Sequence, residues 1–329
     1  MRACRTMLTH VHCRFEVRKV KANIYKNRKI LIFFMIMIAL ASLGVRALIG
    51  YRFHETALMY VGIPFVIALV LIMVRPVNTV SWKKRYLIRL TDAFIIMFGS
   101  SVVLFEGFVC VVMFIPIYLI IMLLIFTAEW FNQRVKQKGR KNLSLHLLPA
   151  LVLFSAFEGV SPEVSFDRNE SVSVTRVVTA SVAEIKHNLQ QPMDLKTKRP
   201  WFLHLFPMPY EIKAGSLNAG DVHEIHFRYY RWFVTNVHEG KMLLEISQVE
   251  DDRIKTTFLE DTSYFSNYLR LKNTEIFLEA LGPNQTRVTL RIDYERTLDP
   301  YWYFSPVSRY GVSKTADFLI TEVLAHERH

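Results

Sequence analysis

The sequence predicts a chain in two unlike parts: an α-helical transmembrane bundle of about five spans, then an α+β domain in which a curved antiparallel sheet surrounds a long C-terminal helix. Three observations predict it. Apolar residues, 51% of the 329, crowd into residues 30–160, in runs near the ~20 residues needed to cross a bilayer. Charge divides at the same place: residues 1–160 hold 21 Lys and Arg against 6 Asp and Glu, whereas residues 161–329 hold 20 against 23. After residue 171 the long apolar runs give way to short alternating stretches separated by turn signals.

Residues 1–29 carry nine Lys and Arg against the single acid Glu16, and read as a basic cytoplasmic N-terminus. The transmembrane region, residues 30–160, follows with spans at about 29–50, 56–74, 90–106, 108–127 and 144–160. The third and fourth spans come from one apolar stretch, Ala93 to Phe126, which as a single straight helix would be ~50 Å long against a hydrocarbon core of ~30 Å. Split near Glu106-Gly107 it becomes a hairpin, and the glycine permits the tight turn.

The positive-inside rule selects the hairpin. Residues 1–29, 75–89 and 129–142 together hold nineteen basic residues, and the hairpin puts all three segments on the cytoplasmic side. The C-terminal domain then lies outside the cytoplasm, at the periplasmic face of an inner membrane. Its lack of cysteine agrees, since Cys4, Cys13 and Cys110 are the only three and all precede it. Phe-Glu-Gly occurs twice, at Glu106 and at Glu158, at the expected outer ends of spans. Glu106, Glu158 and Arg52 are therefore expected as an outer-interface cluster, serving either to mark span ends or to dock a headgroup. The net charge of +12 belongs to the membrane half, so lipid headgroups explain it better than nucleic acid does.

Residues 161–171 read as a polar linker and residues 172–329 as the second domain. Residues 172–181 alternate as a strand. Ser181 and Glu184 form a capping-box pattern for a helix that Pro192 ends. Residues 199–207 suggest a short amphipathic turn. The aromatic run 221–237 reads as one long strand, 241–261 as two strands broken at Glu250-Asp251-Asp252, and 274–298 as two strands broken at "GPNQ". In the last of these, Val288, Leu290, Ile292 and Tyr294 fall on a dry face. Residues 306–326 read as the closing helix, with Phe318, Leu319 and Val323 as the firmest part of its apolar stripe.

This order, opening with "VSVTRVVTASVAEIKHNL" and closing with "TRVTLRIDYERTLDPYWYFSPVSRYGVSKTADFLITEVL", resembles the START-like or SRPBCC helix-grip superfamily over about residues 172–325. Polyketide cyclase/dehydrase-like and coenzyme-Q-binding-like bacterial members are nearest in style. The resemblance implies a cavity for a hydrophobic ligand such as a lipid, isoprenoid or polyketide-like molecule, and it transfers no catalytic residue. The membrane half lies outside that superfamily, and its fusion to such a domain resembles a set of bacterial membrane proteins.

The residues themselves show no nucleophile elbow, phosphate loop or zinc-protease motif. His223 and His226, three apart, fall on opposite faces of a strand and cannot share a metal, so no metal or cofactor is expected. The aromatic residues Trp201, Phe206, Tyr230, Trp232, Phe258, Tyr264, Tyr268, Tyr294, Trp302 and Tyr303 are cavity-lining candidates, with ordinary core packing the alternative for each. Glu260, Asp261 and Asn267 form a candidate polar rim, and Glu260, Asp261 and Tyr294 are the groups an enzyme would use if one were present. Three readings follow: a membrane-anchored ligand-binding domain, a cyclase- or hydrolase-like enzyme, and an assembly or sensor module whose cavity is filled by its own side chains.

Overall fold

A computed structural model describes residues 55–74, 82–103, 108–136, 154–160, 162–194, 203, 206–232 and 235–324. These form two compact units. One takes in Leu58–Glu106 and Met113–Ala156; the other takes in Glu55–Ala57, Gly107–Val112 and Phe157–His329.

The first unit is helical. A turn of π-helix at Leu58–Gly62 leads into α1 (Ile63–Val74), followed by α2 (Trp82–Val103) and, from Met113 onward, α3 (Phe108–Lys136). The apolar stretch expected to fold as a hairpin is two helices. The edge of the Tyr86 ring meets Phe126 at 5.2 Å between centroids, and the Arg89 guanidinium lies 5.1 Å above the same ring. An early residue of α2 thus meets a late residue of α3, so the two run antiparallel. The basic segment 75–89 was expected between spans, but its second half is the first turns of α2. Lys, Arg, Tyr and Leu are adequate helix formers, and nothing after Trp82 breaks the pattern. Likewise α3 continues to Lys136, into the second basic segment.

Among the described residues no helix is long and apolar enough to cross a membrane. The first expected span lies outside the described residues. Of the fifth, residues 154–160 are described, and they form a short helical turn followed by tight turns.

The second unit contains β1 (Asn169–Val178), α4 (Val182–Leu189), β2 (Met193–Asp194), β3 (Met208–Lys213), β4 (Val222–Trp232), β5 (Thr235–Val249), β6 (Arg253–Asp261), β7 (Leu269–Gly282), β8 (Gln285–Arg296) and α5 (Tyr301–Phe318). The eight strands make one antiparallel sheet in the order β1-β8-β7-β6-β5-β4-β3-β2. This curled sheet with its closing helix fits a helix-grip fold. The capping box is present: Ser181 accepts from the Glu184 amide, and the Glu184 carboxylate accepts from the Ser181 amide. The expected breaks at 250–252 and at 283–284 are the β5–β6 and β7–β8 connections.

Three boundaries differ from expectation. The aromatic run 221–237 is not one strand, because β4 ends at Trp232 and β5 begins at Thr235. The linker is short, since β1 begins at Asn169 and pairs there with Glu295. The closing helix starts at Tyr301, five residues early, because the Glu158 carboxylate accepts the Tyr301 amide at 2.8 Å and supplies the cap that Pro300 cannot. Along the closing helix and the π-helical segment Leu319–Leu324 that follows it, Phe304, Val312, Ala316, Phe318, Ile320 and Leu324 are buried, so Phe318 of the expected stripe is in place, while Tyr310 is exposed. Val312, Ala316, Ile320 and Leu324 share a core with Val288, Leu290, Ile292 and Tyr294 of β8, all buried as their alternation predicts. Burying an aliphatic side chain of this size is worth about 1.5–3 kcal/mol.

Candidate functional site

Between the concave face of the sheet and α5 lies a cavity of about 200 Å³. Strand alternation decides what lines it. In β4 the inward residues are His223, Ile225 and Phe227; in β6 they are Ile254, Thr256 and Phe258; in β8 they are Leu290 and Ile292. From α5 come Val312, Thr315 and Phe318. The wall is almost wholly aliphatic and aromatic. Its hydroxyls make bonds within the protein: Thr256 and Thr274 bond each other at 2.5 Å, and Thr315 donates to the Gly311 carbonyl at 3.0 Å.

Interiors are packed to crystal density, with few voids larger than a water. An unfilled apolar space of this size is therefore a feature to explain. It exceeds by about a third the ~150 Å³ engineered cavity known to stay dry and bind benzene.

Of the ten aromatic candidates, Phe258 is on the cavity wall. Phe206, Tyr264 and Tyr268 are brought together elsewhere, in an aromatic group with Tyr229 and His238. Tyr229 stacks on Tyr264 at 4.9 Å, and Tyr268 meets Tyr264 and Phe206 edge-on at 5.9 Å each. Tyr230 is exposed on the outer face of β4, where alternation sends it. Tyr294 is fully buried beyond the cavity, and its hydroxyl donates to Glu170 at 2.7 Å; burial pushes that hydroxyl's pKa up. Trp302 is exposed, and Tyr303 packs against Phe304 at 4.9 Å, its hydroxyl pushed up to about 12 by burial. Trp232 ends β4, and its side chain and all of Trp201 lie outside the described residues.

The rim candidates separate. Glu260 and Asn267 are exposed. Asp261 turns inward because of a bulge: Leu244 pairs with Phe258 but Leu243 pairs with Glu260, which leaves Leu259 as an extra residue. Asp261 is thereby opposite Met242, a cavity residue, and directly opposed residues share a face. Its Oδ1 accepts from the Ser263 amide at 2.8 Å and hydroxyl at 2.6 Å, whereas Oδ2 is buried without a hydrogen-bond partner. Burial raises the carboxyl's pKa, partly offset by the two Ser263 bonds.

Glu106 and Arg52 lie outside the described residues. Glu158 is buried, and besides capping α5 it accepts the Ala57 amide through its backbone carbonyl at 3.0 Å. It adjoins a charge network that sequence reasoning missed. Arg296 pairs with Asp299 at 2.6 Å and Glu170 at 3.5 Å, Arg168 pairs with Asp299 and with Glu55 at 3.5 Å, and Arg270 reaches Glu55 at 3.2 Å. Its members are up to 244 residues apart in sequence, and nothing in their local spacing marks them. His223 was also missed as a wall residue. Its phase with Ile225 and Phe227 was the available signal. No cluster of three or more His, Cys, Asp or Glu is placed to hold a metal among the described residues.

No family model matches the chain, and no curated protein matches it. Solved structures similar to part of it are START-like and cover about half the chain. They include a START superfamily protein from Mycobacterium smegmatis, 14% identical over 46% of this chain and 91% of that one, with a TM-score of 0.30. Norcoclaurine synthase from Thalictrum flavum, in complex with dopamine and hydroxybenzaldehyde, is 14% identical over 49% and 90%, with a TM-score of 0.29. The Zhui aromatase/cyclase from Streptomyces sp. R1128 is 12% identical over 47% and 97%, with a TM-score of 0.26.

Proposed function

We propose that the C-terminal unit binds an apolar small molecule between its sheet and α5, and that the chain holds this unit at the outer face of a membrane crossed by its N-terminal half. One observation carries the binding reading, the 200 Å³ apolar cavity in an otherwise packed interior. The same space counts against a module whose interior is filled by its own side chains. The enzyme reading has less support, since Asp261, Glu260 and Tyr294 are all absent from the cavity wall.

The membrane reading rests first on sequence: the placement of nineteen basic residues in three segments, and the absence of any charged residue from Phe108 to Ala128. Exposed apolar side chains add to it. Phe157, Val164, Phe166, Tyr301 and Trp302 are each at least 41% exposed, and the Phe166 and Tyr301 rings are 5.5 Å apart. Exposed apolar side chains of this kind suit contact with a bilayer surface.

The test is native mass spectrometry of the detergent-extracted full chain, with release and identification of bound molecules. An apolar molecule recovered in stoichiometric amount supports the reading. A chain that is free of bound molecules, and that gains no mass when incubated with small apolar probes such as p-xylene or octanol, overturns it.

A further inference from the structure

The cavity wall contains one titratable residue among its described members, His223. Only 5% of its surface is exposed. Its Nε2 lies 3.0 Å from the carbonyl oxygen of Ser216. A carbonyl can only accept, so Nε2 carries the proton, and in the neutral ring Nδ1 is left as an acceptor.

This tautomer is held from behind. Ser216 belongs to the turn before β4, and Asp221 fixes that turn: its carboxylate accepts from the Ser216 hydroxyl and from the Asn218 amide at 3.0 Å. Those bonds keep the Asp221 carboxyl below its usual range. Leu217, between Ser216 and Asn218, is itself on the cavity wall. The turn thus sets both a wall residue and the orientation of the imidazole.

An apolar wall with one oriented acceptor is selective. A ligand O–H that met this acceptor would gain a hydrogen bond within apolar surroundings, where such a bond counts for more than in water. We infer that the ligand is a small hydroxyl compound, a phenol or short-chain alcohol of about single-ring size, with its hydroxyl donating to His223 Nδ1 and its apolar body against Ile246, Ile276 and Val312. This rests on the binding reading and narrows it. A space of about 200 Å³, about a third larger than a benzene site, accommodates a body of that size.

The test uses an isosteric pair, p-cresol and p-xylene, which differ by a hydroxyl in place of a methyl. Dissociation constants for both are measured by calorimetry on the detergent-solubilised full chain and on its His223→Leu and His223→Gln variants. The ratio of p-xylene to p-cresol constants is expected to fall about tenfold in His223→Leu and to be largely kept in His223→Gln, whose amide retains a donor and an acceptor. A ratio unchanged by His223→Leu overturns the inference while leaving the cavity's function intact. Failure of both probes to bind the unaltered chain overturns the binding reading and this inference together. Should His223→Leu not fold, the ¹⁵N signal of His223 Nδ1 in the unaltered protein decides: it moves with p-cresol and not with p-xylene, and equal response to both overturns the inference.

Discussion

Arg296 and Asp299 form an ion pair at 2.6 Å in which neither side chain is exposed to solvent. The pair joins the end of β8 to the start of α5. Asp299 also takes Arg168, and its amide donates to the Glu55 carbonyl at 2.8 Å. Removing Asp299 leaves Arg296 paired with Glu170 alone among the described residues, at 3.5 Å, in a medium that solvates charge poorly.

Asp299→Asn is therefore expected to cost about 3–5 kcal/mol of stability, the usual range for a broken buried pair. Chemical denaturation of the full chain in detergent measures it. A loss below about 1 kcal/mol would mean that water reaches Arg296.

Val312→Phe places a ring in the cavity. With room beside α5 for the ring, the variant keeps its thermal midpoint or gains the equivalent of about 0.5–2 kcal/mol, as cavity filling commonly does. Binding of p-xylene should weaken at least about tenfold, since even a methylene too many is felt in a packed site. A destabilisation of about 1–3 kcal/mol would instead be the mark of overpacking, with no usable room beside α5.

Gly240 lies in β5 where the Thr262–Ser263 backbone crosses closely. A Cβ there would lie 2.4 Å from the Thr262 carbonyl oxygen and 2.8 Å from Ser263 Cα. Backbone cannot give way as a side-chain tip can, so Gly240→Ala should cost about 1–3 kcal/mol. Thermal unfolding reads this directly, and near-ultraviolet circular dichroism should show altered packing of Tyr264 and Tyr268. An unchanged midpoint would show that the crossing strand moves freely.

These positions show what the sequence could reveal. Local chemistry was legible: "GPNQ" marked the β7–β8 hairpin, Ser181 and Glu184 marked the α4 cap, and strict alternation marked the dry face of β8. Long-range geometry was not. The bulge at Leu259 decides that Asp261 faces inward, yet no residue near it signals an inserted position. Of the aromatic candidates, Phe258 lies on the described wall, and Phe227, Phe265 and Phe318 join it there, while Ile, Leu and Val supply most of the rest. Which rings face the cavity is set by strand phase and bulges, and a mixed aliphatic and aromatic wall around a cavity reads in sequence like an ordinary core.

Asp261 supplies a pH test. Its carboxyl pKa is raised in the folded chain by burial, so the folded state holds the proton more tightly than the unfolded state. Stability then falls as pH rises above the ordinary aspartate value of 3.8 towards the folded value, and the penalty is fully present above both. Asp261→Asn removes the charge and keeps an oxygen for Ser263. Its thermal midpoint should exceed that of the unaltered chain at pH 7–8, with the gain disappearing as pH falls below about 4. A variant less stable than the unaltered chain at neutral pH would show that the ionised carboxylate is wanted there.

Sidedness can be read with one introduced thiol. Residues 161–329 contain no cysteine, and Asn284 is exposed in the β7–β8 hairpin. With Cys4, Cys13 and Cys110 replaced by Ser, Asn284→Cys provides a single surface label site on a turn whose side chains carry no packing load. If the basic segments hold residues 1–29, 75–89 and 129–142 in the cytoplasm, the hairpin lies outside. A membrane-impermeant maleimide should then label it in intact cells as fully as after lysis. Labelling seen only after lysis would place residues 161–329 on the cytoplasmic side. The cavity and His223 would keep their roles, but the molecule they receive would have to come from the inner leaflet or the cytosol.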